Sequence, residues 1–94
     1  MATPTSQQIA AEVYSVLSTF VPSYQPGDIQ GWWTLGDPPP LGLDSQDIAE
    51  VINNLNTWLE DNGAPGRINL VTEIKGTTTV GALIALVASK FKAA

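Results

Sequence analysis

GLDSQDIAEVINNLNTWLEDN, residues 42–62, carries the strongest helical pattern in the sequence. Its apolar residues recur at offsets 0, 3, 4, 7 and 11, which places them on one face of an α-helix; they are Ile48, Val51, Ile52, Leu55 and Leu59. Asp44 is a good N-cap because its carboxylate can accept from first-turn N–H groups, and Asp47 follows in a capping-box-like position. The stretch therefore predicts an amphipathic helix that begins beside Ser45 and ends near Asn62.

Ser45 offers a hydroxyl at the start of this predicted helix. The first N–H groups of a helix lack intrahelical partners and the helix dipole is positive there, so a phosphodiester on a first-turn side chain is favoured. The same residues also fit an ordinary helix start without a ligand. Asp47 and Glu50 lie on the polar face near Ser45, where they either attract a basic partner or form a solvated surface.

Two further helices are predicted on either side of this one. Thr5 and Gln8 form a capping-box signature, and Pro22 ends the segment that follows, so we expect a helix from Ser6 to Phe20. Its apolar residues fall on one side of that helix: Ile9, Val13, Val16, Leu17 and Phe20. The last helix begins near Val80 with one of the threonines at 77–79 as its cap, and its apolar stripe is Val80, Leu83, Ile84, Val87 and Phe91.

The segments between these helices are less periodic. Gly63 begins a turn that suits a left-handed helix end. Residues 68–80 fit either a short helix or a β-hairpin, and we favour the helix because an isolated hairpin is marginally stable in water. Residues 22–43 form a long first loop rich in proline and glycine. Its apolar residues should fold back onto the helices, and the pair Trp32 and Trp33 either packs against the core or leaves a ring exposed for a partner.

Composition restricts the function. The 94 residues fit a single domain spanning 1–94, and nine acidic against four basic residues give a net charge of −5. This balance argues against nucleic acid and favours basic protein partners. Histidine and cysteine are absent, which excludes the Ser-His-Asp and Cys-His forms of catalysis, and also disulfides and thiolate metal sites.

Targeting signals are also lacking. The first twenty residues have no basic start or apolar core, so no secretory signal is predicted, and the mostly apolar stretch 80–88 is half of the ~18 residues that a membrane span needs. We therefore expect a cytoplasmic protein that does not bind membranes. The initial Met1 and the short polar ends favour a free-standing protein over a domain excised from a synthase.

Across most of its length the chain resembles acyl carrier proteins. The resemblance rests on Leu41-Gly42-Leu43-Asp44-Ser45, on the acidic residues soon after the serine, and on Thr78-Thr79-Val80 before the last helix. It implies an all-α fold, an acyl-carrier-like four-helix bundle with three longer helices, a short third helix and a long first loop.

In that family the Gly-x-Asp-Ser serine is esterified by 4′-phosphopantetheine. The resemblance therefore implies that Ser45 is the covalent attachment site, that Asp44 belongs to the motif and caps the helix, and that Gln46, Asp47 and Glu50 contact partners. Those partners would be a phosphopantetheinyl transferase and acyl-loading or acyl-processing enzymes with basic docking patches. The thiol of the arm would carry a thioester-linked intermediate of fatty-acid, polyketide or related biosynthesis, and the chain itself would be a monomer and not an enzyme.

Two features distinguish this sequence from the usual carrier. Gln46 occupies the position after the serine, where the family usually has a hydrophobic residue, often leucine, and the first loop contains Trp32-Trp33 and Pro38-Pro39-Pro40. The alternative to a carrier is an unmodified, carrier-shaped interaction module that uses its acidic helix face or Trp-rich loop. A small carboxylate enzyme with a metal at Asp44, Asp47 and Glu50 is disfavoured, because the i, i+3, i+6 spacing makes the three side chains diverge.

Overall fold

The computed structural model describes residues 3–37 and 39–92. These residues form four α-helices and one 3-10 turn at Pro26–Asp28; the helices are Ser6–Phe20 (α1), Ser45–Asp61 (α2), Leu70–Glu73 (α3) and Val80–Ser89 (α4). Within the described ranges there is no β-strand. The predicted all-α class is confirmed, with three longer helices, a short third helix and a long first loop.

Helix α1 has the predicted bounds because both of its ends are encoded locally. Thr5 Oγ1 accepts from the Gln8 N–H at 3.2 Å, and Gln8 Oε1 accepts from the Thr5 N–H at 2.8 Å, which completes the capping box. The helix packs against α2 and α4. Its buried residues are Ile9, Val13, Val16 and Leu17.

Helix α2 buries the whole predicted stripe: Ile48, Val51, Ile52, Leu55 and Leu59. It ends at Asp61, and Gly63, two residues later, has a φ of 74°, in the left-handed region that glycine adopts without strain. The Gly63 N–H donates to the Glu60 carbonyl at 3.0 Å, and the Ala64 N–H donates to the Leu59 carbonyl at 2.9 Å. The predicted left-handed helix end is therefore confirmed.

The segment 68–80 contains the short helix α3 and not a hairpin. Asn69 caps α3 because its side-chain oxygen accepts from the N–H groups of Val71 and Thr72. Asn56 of α2 holds the preceding residue: it donates to the Ile68 carbonyl at 3.1 Å and accepts from the Ile68 N–H at 2.8 Å. The single turn of α3 is thus fixed to α2 by side-chain hydrogen bonds.

The first loop pairs with the backbone that leads into α4. Thr34 and Thr79 form an isolated antiparallel β-bridge. The Leu35 N–H donates to the Thr78 carbonyl at 2.9 Å, and the Val80 N–H donates to the Trp33 carbonyl at 2.8 Å. Similar bonds at 2.8 and 2.7 Å join Gly36 to Gly76 and Gly81 to Gly31. We call these paired segments, residues 31–36 and 76–81, the loop ladder.

The two tryptophans of the first loop differ in burial. The Trp33 ring packs against the core and contacts Tyr24 edge to face at 5.1 Å, whereas Trp32 is 73% exposed. Ile29 and Leu35 from the same loop are buried, as expected. Pro38, the first of the three consecutive prolines in this loop, lies outside the described residues.

Candidate functional site

Ser45 is the first residue of α2 and is exposed. The preceding Asp44 caps the helix: its Oδ1 accepts from the Asp47 N–H at 2.8 Å. Gly42 has a φ of 56°, a left-handed conformation that favours glycine, and the Leu43 N–H donates to the Leu35 carbonyl at 3.0 Å. These contacts place the serine at a fixed turn between the loop ladder and α2.

Polar groups at this helix start have unused hydrogen-bonding capacity. Among the described residues, the N–H groups of Ser45 and Gln46 have no acceptor, and the Ser45 hydroxyl has no hydrogen-bond partner. Asp44 already satisfies the Asp47 N–H. The arrangement leaves two first-turn donors and one nucleophilic hydroxyl accessible at the positive end of α2.

A groove of about 240 Å3 adjoins Ser45 and lies between α2 and α3. Its apolar lining comes from Ile48, Leu70 and Ile74, and Lys75 contributes a positive charge. Ile74 lines this groove, whereas Val51 and Leu55 are fully buried in the bundle core, because they lie on the side of α2 that packs inward. We call this space the serine groove.

A second depression of about 380 Å3 lies beside the serine groove and shares Leu70 with it. Gln46, Glu50 and Asn53 contribute its polar lining. The Gln46 side chain therefore lines this depression next to the serine, where a leucine would have presented an apolar side chain.

The acidic residues near Ser45 remain accessible. Asp47 is half-buried and Glu50 is exposed, and neither forms an ion pair with another described residue. Their carboxylates therefore give the start of α2 a negative surface beside the serine. Over residues 3–37 and 39–92, no group of three acidic side chains is arranged to hold a metal ion.

Helix α3 forms one wall of the serine groove, and an ion pair fixes its position. Lys90 Nζ lies 2.8 Å from Glu73 Oε2, and Glu73 Oε1 accepts from the Asn69 N–H at 2.7 Å. The hydrogen bond from Asn69 and the interaction with Lys90 lower the pKa of the Glu73 carboxyl below its usual value. Glu73 is thus ionised at neutral pH and links α3 to the end of α4.

Sequence reasoning did not find several residues of the groove, namely Leu70, Val71, Lys75 and Gly76. Helix α3 has four residues, and one turn is too short for periodicity to assign a face. Leu70 is half-buried, while Val71 is 88% exposed. The sequence signal in this segment was the alternation of apolar and polar residues that begins at Ile68. Because such alternation also fits a β-strand, it could not assign the residues of the groove.

Two results concern the chain as a whole. In the described part of the protein, no helix combines the length and the apolar character that crossing a membrane requires. Comparisons of the chain with known protein families, with curated proteins and with solved structures found no match.

Proposed function

We propose that this protein is an acyl carrier with an acyl-carrier-like four-helix bundle, and that Ser45 carries a 4′-phosphopantetheine arm. The observation that supports the proposal is the accessible Ser45 hydroxyl, which is the first side chain of α2 and takes no part in capping that helix. An esterified serine at this place leaves the Asp44 cap intact, so modification does not compete with the fold.

The surroundings of Ser45 suit a bound phosphodiester. The unpaired N–H groups of Ser45 and Gln46 can donate to phosphate oxygens, and the helix dipole adds to this attraction. Lys75, which lines the same groove, offers a compensating charge against Asp44 and Asp47. The serine groove then gives the pantetheine chain an apolar wall to lie against.

Attachment is a simple displacement at phosphorus. The Ser45 oxygen forms a bond to the phosphorus that bears pantetheine, the diphosphate bond of coenzyme A breaks, and adenosine 3′,5′-bisphosphate leaves. The serine proton passes to a base on the transferase. After attachment the chain presents a thioester on the terminal thiol of the arm and makes or breaks no bond itself. We expect these steps to take place in the cytoplasm, with the chain as a monomer.

The acidic surface at the start of α2 supplies a docking site for basic enzymes. Lys substitution at Asp47 or Glu50 should slow association with a phosphopantetheinyl transferase, and the difference should shrink at high salt as the charges are screened. Asp61→Lys is the matched control, because it makes the same change of charge at the far end of α2. Equal slowing by the control would assign the effect to net charge and not to docking near Ser45.

The decisive test is intact mass after incubation with coenzyme A and a broad-specificity phosphopantetheinyl transferase. The expected result is a gain of one phosphopantetheine, with no gain for Ser45→Ala. Gln46→Leu should accelerate modification, since it restores the apolar side chain usual in the family. Absence of modification in both the natural chain and Gln46→Leu, with several transferases, would refute the carrier.

A second candidate is an unmodified interaction module, and the 73% exposure of Trp32 favours it. A large apolar ring in water is a common anchor in protein interfaces. In that case Ser45→Ala would keep partner binding, whereas Trp32→Ala would abolish it without loss of stability. The carrier predicts the reverse dependence on Ser45.

A further inference from the structure

A separate cleft of about 600 Å3 lies between α1 and the C-terminal half of α2. Glu12 and Ser15 line it from α1, while Trp58 and Asn62 line it from α2 and its end. Trp58 follows Ser45 by 13 positions, which is about 20 Å along a helix. The cleft is therefore distinct from the serine groove.

Glu12 lies in this cleft without a partner among the residues that the structure describes. Its side chain is half-buried, and among the described residues no hydrogen-bond donor or cation contacts it. Burial raises the pKa of the Glu12 carboxyl, which is the direction expected when a carboxylate loses water without gaining a partner. Glu73, by contrast, is paired with Lys90. The cleft therefore contains a half-buried carboxylate that forms no ion pair with a described residue.

The other residues of the cleft also suit a cationic group. Trp58 contributes an indole ring, a group that attracts cations, and this ring also contacts Phe91 edge to face at 5.7 Å. The Asn62 amide nitrogen donates to the Trp58 carbonyl at 2.8 Å, so its oxygen stays available as an acceptor. The Ser15 hydroxyl has no described hydrogen bond and can accept as well. An aromatic ring, a carboxylate and neutral acceptors thus meet in one space.

We propose that this cleft binds the guanidinium group of an arginine side chain presented by a partner protein. Arginine fits better than lysine because its planar group stacks on an aromatic ring while several N–H donors reach separate acceptors. The net charge of −5 favours association with basic proteins in general. The proposal is independent of the modification of Ser45, since the two sites lie at different ends of α2.

The test is an NMR titration of the full chain with Nα-acetyl-L-arginine N-methylamide, a mimic of an arginine residue within a peptide. We expect saturable shifts of the Trp58 indole N–H with millimolar affinity. The citrulline analogue has nearly the same shape without the charge and should produce no saturable shift. The lysine analogue should bind several-fold more weakly.

Two glutamine variants complete the test. Glu12→Gln should weaken the arginine mimic at least tenfold, and Glu60→Gln, which removes one exposed charge from the same half of α2 without lining the cleft, should leave the affinity unchanged. Unaltered amide spectra elsewhere will show that both variants fold. Equal binding of the citrulline analogue, or an unchanged affinity in Glu12→Gln, would overturn the proposal. Agmatine is a free small cation that carries the same guanidinium group. If it binds more tightly than the capped mimic, the cleft would be assigned to a small cation, and the proposal that it binds a partner protein would be overturned.

Discussion

Asp44→Ala tests whether Asp44 stabilises the start of α2 while the neighbouring Ser45 contributes little to stability. The Asp44 carboxylate accepts from the Asp47 N–H at 2.8 Å, and alanine removes that acceptor. Loss of an N-cap of this type costs about 1 kcal/mol, within a range of roughly 0.5–2 kcal/mol. Because Asp44 is exposed, water can replace part of the lost bond, which keeps the expected value near the centre of that range.

The corresponding thermal shift can be worked from chain length. For a domain of 94 residues, 1 kcal/mol corresponds to roughly 4–8 °C in Tm, so Asp44→Ala should lower Tm by about that amount. Ser45→Ala should change the free energy of unfolding by less than about 0.5 kcal/mol, because the serine hydroxyl has no described hydrogen bond and alanine favours helices.

Urea denaturation at pH 7, followed by far-UV circular dichroism, measures both free energies, and calorimetry gives Tm. Asp44→Asn is the matched control, since asparagine caps nearly as well and should recover most of the stability. A loss in Ser45→Ala as large as that in Asp44→Ala would refute the reasoning. It would mean that the Ser45 hydroxyl stabilises the helix start, and this structural role would explain the serine without a phosphopantetheine arm.

Two further predictions concern the core and the α3 ion pair. Leu55 is fully buried, so Leu55→Ala should reduce the free energy of unfolding in urea by about 2–5 kcal/mol; a loss below about 1 kcal/mol would contradict its place in the core. Glu73→Gln should cost about 1 kcal/mol at pH 7. Since the folded pKa of Glu73 lies below its usual value of 4.5, this stabilisation is complete above about pH 4.5 and is lost as the pH falls through the folded pKa. Urea titrations from pH 7 to pH 3 should therefore show the free energies of unfolding of the natural chain and of Glu73→Gln converging as the pH falls. A difference that stays constant with pH would contradict the ion pair. Glu60→Gln, which breaks the exposed 3.7 Å pair with Arg67, is the control and should change the free energy of unfolding little at any pH.

The long helices could be predicted because their signals are local. The bounds of α1 follow from Thr5 and Pro22, and the buried stripe of α2 follows from its spacing. The Asp44 cap and the left-handed Gly63 were predictable for the same reason. Each depends on residues within a few positions along the chain, where backbone geometry leaves few alternatives.

Features made by distant residues could not be predicted in this way. Nothing near Thr34 indicates that it pairs with Thr79, and equal hydrophobicity cannot tell the exposed Trp32 from the packed Trp33. The serine groove exists only because α3 is held beside α2. Side chains of α2 and of the end of α4 determine that position. The cleft at Glu12 likewise depends on how α1 packs against α2.

The loop ladder has a consequence for the order of folding. It joins residues 31–36 to residues 76–81 and so closes a loop that contains α2 and α3. Closing a loop of this length costs entropy that local helix formation does not, so we expect these contacts to form after the helices. The Leu35 carbonyl also accepts a hydrogen bond from the N–H of Leu43, just before the Asp44 cap. The surface around Ser45 is therefore completed only when the chain has closed, and an enzyme that recognises this surface would distinguish the finished fold from a nascent one.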